Sequence, residues 1–226
     1  MGVWSVTRDG GTPAYRRRRP LPAIATLVVL AVAMAVVWVT VVHQSDSNAA
    51  ALDCNAPTNP PAGRQVLARD ALDKTTPLPV DQVQVHVVNG GSQRGLAGLV
   101  TLRLQQLGFS QTAPPSNDSQ YTSTELRCRG QIRFGPNGAS AARTLSLIEP
   151  CSQLVRDNRQ DATVDMALGS KFIDLHPNTD AKKVLAQLAA WAKAQPQQHG
   201  GQQSQDGGGA PLDPKLLAGA RNVSCS

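Results

Sequence analysis

The sequence predicts an α/β protein: a single N-terminal transmembrane helix, then a small α/β sandwich in β-α-β-α-β order with a C-terminal helix. Three observations carry this. Residues 21–42, LPAIATLVVLAVAMAVVWVTVV, contain no charge and match the roughly 20 residues a helix needs to span a bilayer core. Residues 83–88, VQVHVV, alternate so that Val83, Val85 and Val87 share one face. Helical periodicities then alternate with further short apolar runs, the pattern of strands interleaved with helices.

Arg16–Arg19 precede the apolar run and no comparable cluster follows it. The positive-inside rule therefore predicts a cytoplasmic residue 1–20 segment, a signal anchor over 21–43 and an extracytoplasmic remainder. Small residues near Asn48 to Leu52 would suit a cleaved signal peptide, but the apolar run is long for one. Residues 44–79 read as an extracytoplasmic tether, polar and proline-bearing, with a short helix over 63–73. The folded domain is expected over 80–195. Within it, Leu96, Leu99, Val100, Leu104 and Leu107 predict a helix from Gly95 to Leu107, closed by Gly108. Thr124 to Gly135 reads as a strand, or two with a kink at Gly130. A second helix over Asn137 to Glu149 buries Ala141, Ala142, Leu145 and Ile148, and Pro150 stops it. Ala162 to Gly169 alternates as a late strand. A third helix begins beyond Asn178, with Thr179 as expected N-cap and Val184, Leu188 and Trp191 facing inward. Residues 196–226 comprise a Gln/Gly-rich stretch, expected to be disordered, and a tail that Cys225 fastens.

The formal charge of +6 mostly reports topology. Residues 1–19 hold five arginines against one aspartate, so the rest carries only about +2. No concentrated basic face argues for nucleic acid. The four cysteines, Cys54, Cys128, Cys151 and Cys225, all lie on the exported side. An oxidising compartment and the lack of CxxC spacing favour disulfides over zinc. Of three possible pairings, position along the chain favours Cys128–Cys151 within the domain and Cys54–Cys225 across its flanks.

No catalytic residue set is legible. His43, His86, His176 and His199 are each alone in their neighbourhood, and neither a metal nor a cofactor is expected. Gly138 to Ser140 reads as a helix start rather than a nucleophile elbow. The most patterned stretch is VVNGGSQRGLA, from Val87 to Ala97. Its Gly90-x4-Gly95 spacing lacks the Lys and hydroxyl of a phosphate loop, since Leu96 and Ala97 follow. One reading is a strand-to-helix turn in which Asn89, Gly90 and Gly91 take turn conformations and Ser92 caps the helix. The other is a ligand site of Asn89, Gly90, Gly91, Ser92, Arg94 and Gly95 at the helix N-terminus.

VQVHVVNGGSQRGLAGLVTLRLQQLGF resembles the opening of the LytR C-terminal domain family: a strand, an Asn-Gly turn, a Gly-Leu-Ala helix start and a leucine-rich helix ended by Gly-Phe. TELRCRGQIRFGPNGASAARTL and VDMALGSKF are similar to its later strand, alanine-rich helix and closing strand, so the similarity covers about residues 82–173. That domain is commonly attached to enzymes that transfer glycopolymers onto peptidoglycan, and this chain leaves no region for such a catalytic domain. The resemblance implies a role in maintaining the cell envelope. Together with the anchor-tether-domain layout and the absence of a legible catalytic set, it predicts a non-enzymatic, single-pass membrane protein that binds cell-wall glycopolymer or an envelope protein. The alternative is an accessory or enzyme of glycopolymer assembly with its ligand at the Asn89–Gly95 turn.

Overall fold

The computed structural model describes residues 21–58, 60–194 and 209–225. The basic cluster Arg16–Arg19 and the Gln/Gly-rich stretch 195–208 lie outside them. The chain divides into two compact units, 1–45 and 46–226. Helix α1, Leu21–Leu52, contains the whole apolar run. Its apolar side chains from Ile24 to Val39 stand more than half exposed. Among the described residues no helix is long and apolar enough to cross a membrane. Membrane insertion of residues 21–43 therefore rests on their sequence.

The second unit is built on a seven-stranded mixed sheet: β1 (Gln65–Leu67), β2 (Gln84–Asn89), β3 (Gln111–Thr112), β4 (Ser116–Asn117), β5 (Gly130–Phe134), β6 (Gln153–Arg156) and β7 (Val164–Leu168). The spatial order is β1-β6-β5-β7-β2-β3, with β4 pairing the far half of β2. β2 runs parallel to β3, β4 and β7, and β5 parallel to β6, whereas β1–β6 and β5–β7 are antiparallel. The helices are α2 (Leu96–Gln106), α3 (Ala139–Ile148), α4 (Thr179–Ala194) and α5 (Pro214–Arg221).

The two faces of the sheet differ in chemistry. Val85 and Val87, Ile132 and Phe134, Leu154, and Val164, Met166 and Leu168 share one buried cluster with side chains of α2, α3, α4 and α5. Each such side chain contributes about 1.5–3 kcal/mol on removal from water. Period-two alternation fixes the opposite face automatically. There stand Gln131, Arg133, Gln153 and Asp165, with a small cluster of Val88, Tyr121, Leu126, Cys128 and Ala167 above them.

The expected helices and strands of the domain form, with informative differences. α2 closes as expected: Gly108 takes φ +99, its N–H donates to Gln105 O, and the Phe109 N–H donates to Leu104 O. This is the six-to-one and five-to-two pattern of a left-handed helix stop. The expected inward residues of α3 are all buried, and Glu149 is its C-cap. In α4, Val184 and Leu188 are buried but Trp191 is only half-buried. The cap there is Asn178, whose Oδ1 accepts from the Ala181 N–H, rather than Thr179. Residues 63–73 do not form the expected helix. Val66 instead pairs with Val155, making β1 an edge strand, and Leu72 enters the main core. An eleven-residue stretch with weak helical pattern yields readily to an open sheet edge. β6 was not visible in the sequence, because QLVR after the Pro150 stop is too short to show alternation.

The disulfide pairing also differs from expectation. Cys54 joins Cys128, with Cα atoms 5.0 Å apart, and Cys151 joins Cys225 at 5.4 Å. Cys128–Cys151 and Cys54–Cys225 are not formed. Cys128 lies on the polar face, where residues 54–58 run beside it: the Arg127 N–H donates to Asn55 Oδ1. Cys151 follows α3, where the tail returns behind α5, whose Asp213 Oδ1 caps the Lys215 N–H. Sequence adjacency failed as a guide because β5 and α3 carry the chain away from Cys128 before Cys151 is reached.

Each bond spans 74 positions, for which loop entropy predicts about 4 kcal/mol of stabilisation. Non-reducing peptide mapping is expected to recover Cys54–Cys128 and Cys151–Cys225. The double substitution Cys151→Ser with Cys225→Ser should lower the urea-unfolding free energy by about 2–5 kcal/mol.

Candidate functional site

At the end of β2 the chain passes over the sheet edge and opens a cleft of about 660 Å³. Asn89, Gly90, Gly91, Ser92, Arg94 and Gly95 form one wall, and Asn117, Asp118, Tyr121 and residues 122–125 form the other. All six residues of the expected ligand turn thus border one concavity. Their local roles differ from the expected turn. Gly90 and Gly91 do not have positive φ, and Ser92 does not cap α2. Gly95 occupies the N-cap position in the left-handed region, at φ +79. The glycines before it answer to space. A Cβ on Gly90 would stand 3.0 Å from the Leu126 Cβ, and one on Gly91 would stand 3.1 Å from the Ser170 nitrogen. Asn89 closes the turn, accepting from the Gly91 N–H through Oδ1 and donating from Nδ2 to Gln93 O.

The second wall was not legible in the sequence, where residues 117–125 show no periodic pattern. The Asp118 N–H donates to Asn89 O, and the Leu126 N–H donates to Gly90 O, so both ends of residues 118–126 are pinned to the turn. Beneath the cleft, the Arg133 guanidinium reaches both oxygens of Asp118, at 2.9 and 2.6 Å. Both side chains are 2% exposed. Arg133 Nε donates to Gln131 Oε1, and Gln131 Nε2 donates to Gln153 Oε1, so the polar core of this face is a continuous chain. Arg133 also lies 5.6 Å from the centre of the Tyr121 ring. Burial raises the Tyr121 phenol above its ordinary pKa, against the opposing pull of Arg133. It therefore stays neutral and donates to Asn55 O at 2.5 Å.

The rim is polar and exposed. Ser92, Arg94, Gly95 and residues 122–125 all face solvent, and Thr58 and Ser123 share a hydroxyl hydrogen bond of 2.9 Å. Among the described residues no ion pair engages Arg94 or Glu125. Such a wall offers amide, hydroxyl, cationic and carboxylate partners to a polar ligand. No group of three or more His, Cys, Asp or Glu among the described residues could hold a metal. Of the histidines, His86 lies on β2 beside Asp165 and Ser116. His176 pairs with Asp174 at the exposed surface.

The buried pair ties the cleft floor to the sheet, so removing one member strands the other charge. Asp118→Ala is expected to cost about 3–5 kcal/mol in urea unfolding. Combining Asp118→Leu with Arg133→Met should recover most of that loss while opening the 118–126 segment.

The comparisons with known proteins agree with this architecture. The family model described as "LytR cell envelope-related transcriptional attenuator" matches residues 82–172, close to the span of the sequence resemblance. The cell envelope integrity protein Cei of Mycobacterium tuberculosis (strain ATCC 25618 / H37Rv) is 36% identical over 217 residues, covering 93% of this chain and 92% of that protein. The crystal structure of the soluble domain of a conserved hypothetical secreted protein from Mycobacterium marinum superposes with a TM-score of 0.59 at 33% identity. It covers 71% of this chain and 97% of that one. With the seven-stranded sheet in place and a 36% identical relative aligned over 93% of the chain, the protein belongs to the LytR C-terminal domain family and is a relative of Cei.

Proposed function

We propose that this protein is a membrane-anchored, extracytoplasmic binding module that contributes to cell envelope integrity. Residues 21–43 hold it in the membrane as a single pass, with the N-terminus cytoplasmic and the folded unit outside. Its role is to hold an envelope glycopolymer or an envelope protein in the cleft beside Asn89–Gly95. The observation that carries this reading is the convergence of all six turn residues with Asn117, Tyr121 and Glu125 on one polar, ligand-sized concavity. A volume of about 660 Å³ falls within the range of about 300–1,000 Å³ common for ligand sites. Exposed amides and hydroxyls suit a hydroxyl-rich polymer, whose recognition depends on many hydrogen bonds. The relation to Cei, a cell envelope integrity protein, supports the same setting.

The second reading is an accessory or enzyme of glycopolymer assembly. It is favoured by the placement of Ser116 and His86 next to the cleft.

The test uses the full-length chain immobilised and exposed to purified envelope glycopolymer and, separately, to envelope protein fractions. Retention of one of them, reduced at least about tenfold by Arg94→Ala with Asn117→Ala, is expected; that is about 1.4 kcal/mol of binding energy. Retention of neither, or retention indifferent to these substitutions, would overturn the reading. Protease protection of intact cells is expected to leave the folded unit accessible from outside.

A further inference from the structure

The strands that frame the cleft bring together three residues that are far apart in the sequence. Asp165 on β7 and His86 on β2 are register partners in the sheet, and Ser116 lies on β4, the strand beside the end of β2. Asp165 Oδ1 stands 3.3 Å from His86 Nδ1. His86 Nε2 stands 3.0 Å from Ser116 Oγ. With the imidazole proton on Nδ1, toward the carboxylate, Nε2 accepts from the hydroxyl. From this geometry we propose that Asp165, His86 and Ser116 form a nucleophilic relay, with Ser116 as the attacking group and a carboxylic ester as the substrate class.

Three features favour chemistry over a mere surface hydrogen bond. First, the carboxylate is held from behind: Arg159 donates to Asp165 Oδ2 at 2.6 Å and forks onto both oxygens of Asp157. Burial opposes the Arg159 charge, but the hydrogen bonds to Asp157 and Asp165 outweigh it and raise its pKa further. Asp165 is thereby held in place with one oxygen left to face the imidazole. Second, the order of partners is the one nucleophile activation requires: carboxylate to Nδ1, Nε2 to hydroxyl. Third, Ser116 is exposed and borders a hollow of about 310 Å³. That hollow shares Asn89, Gly95 and Asn117 with the larger cleft, so a polymer lying in the cleft would bring its substituents past the hydroxyl.

The reaction closes without a further reagent. Ser116 Oγ adds to the ester carbonyl carbon while its proton passes to His86 Nε2. The bond from carbonyl carbon to alcohol oxygen breaks, and the alkoxide leaves with that proton. Water then adds to the acyl-serine, and His86 takes its proton and returns it to Oγ as the carboxylic acid departs. The open, wetted position of the three groups suits the easier leaving group of an ester over that of an amide. Ser116 and His86 are the catalytic residues, and Asp165 is a positioning residue acting through the imidazole.

The test does not depend on envelope binding. The full-length chain is treated with a fluorophosphonate, which replaces its fluoride by a serine oxygen, and with p-nitrophenyl acetate. A single adduct mapping to Ser116 by peptide mass is expected, absent in Ser116→Ala. His86→Gln should lower the labelling rate by about 100-fold. Asp165→Asn should lower it at least about tenfold, with Asp165→Glu recovering part of the rate, a rescue that simple packing would not produce. Ester hydrolysis should follow the same ranking. Absence of an adduct at Ser116, or labelling unchanged in His86→Gln, overturns the proposal. Thermal melts of each variant separate loss of chemistry from loss of fold.

Discussion

Arg133 is the penultimate residue of β5, on the sheet face opposite α2 to α5, and its side chain is 2% exposed. A charge in that position is tolerable only if every donor is engaged. Asp118 meets it with both oxygens, Gln131 takes its Nε, and the Tyr121 ring covers it. To deliver Asp118 and Tyr121, residues 115–126 must cross from the end of β2 back over the sheet. The crossing segment is then pinned at both ends to Asn89 and Gly90. The cleft is the space left between that segment and the turn. One buried cation thus decides where the second layer of the domain goes and why a concavity exists beside the turn.

Covalent links reinforce both layers from opposite ends of the chain. Cys54–Cys128 fastens the stretch just after α1 to the polar face, where Asn55 also bonds to Glu125 O, Arg127 N and the Tyr121 hydroxyl. Cys151–Cys225 fastens the tail behind α3, where α5 joins the main core through Ala220. Arg69 donates to Arg221 O, so the region expected as tether and the C-terminal helix hold each other. For a folded unit of modest size, closing two long loops removes much of the entropy of the unfolded chain. It also lets the polar face stay polar, because less hydrophobic burial is needed there.

The polar face carries both proposed functional features. Its strands place the binding turn at the end of β2, and the same strands align Asp165, His86 and Ser116 across β7, β2 and β4. Parallel pairing of β2 with both neighbours puts side chains of adjacent strands abreast on one face. That is why a histidine in a strand finds a carboxylate on one side and a hydroxyl on the other. The helical layer contributes none of these three residues. It supplies the rigid backing that keeps the three strands in register.

The sequence by itself determined the helices α2, α3 and α4, the strands β2, β5 and β7, and the family. Each of these rests on local signals: apolar periodicity, glycine and proline stops, and an Asn-Gly turn between strand and helix. It also marked the turn Asn89–Gly95 as a candidate, though for the wrong local reason, since Gly90 and Gly91 answer to crowding by Leu126 and Ser170 rather than to left-handed backbone. Only the tertiary structure decided the rest. β1, β3, β4 and β6 span two to four residues each, too few to show a period, and exist because a neighbouring strand offers hydrogen bonds. The cysteine partners, the Asp118–Arg133 pair and the alignment of Ser116, His86 and Asp165 join residues between 15 and 79 positions apart. Such pairings depend on how strands are ordered across a sheet, and strand order leaves no periodic trace along the chain.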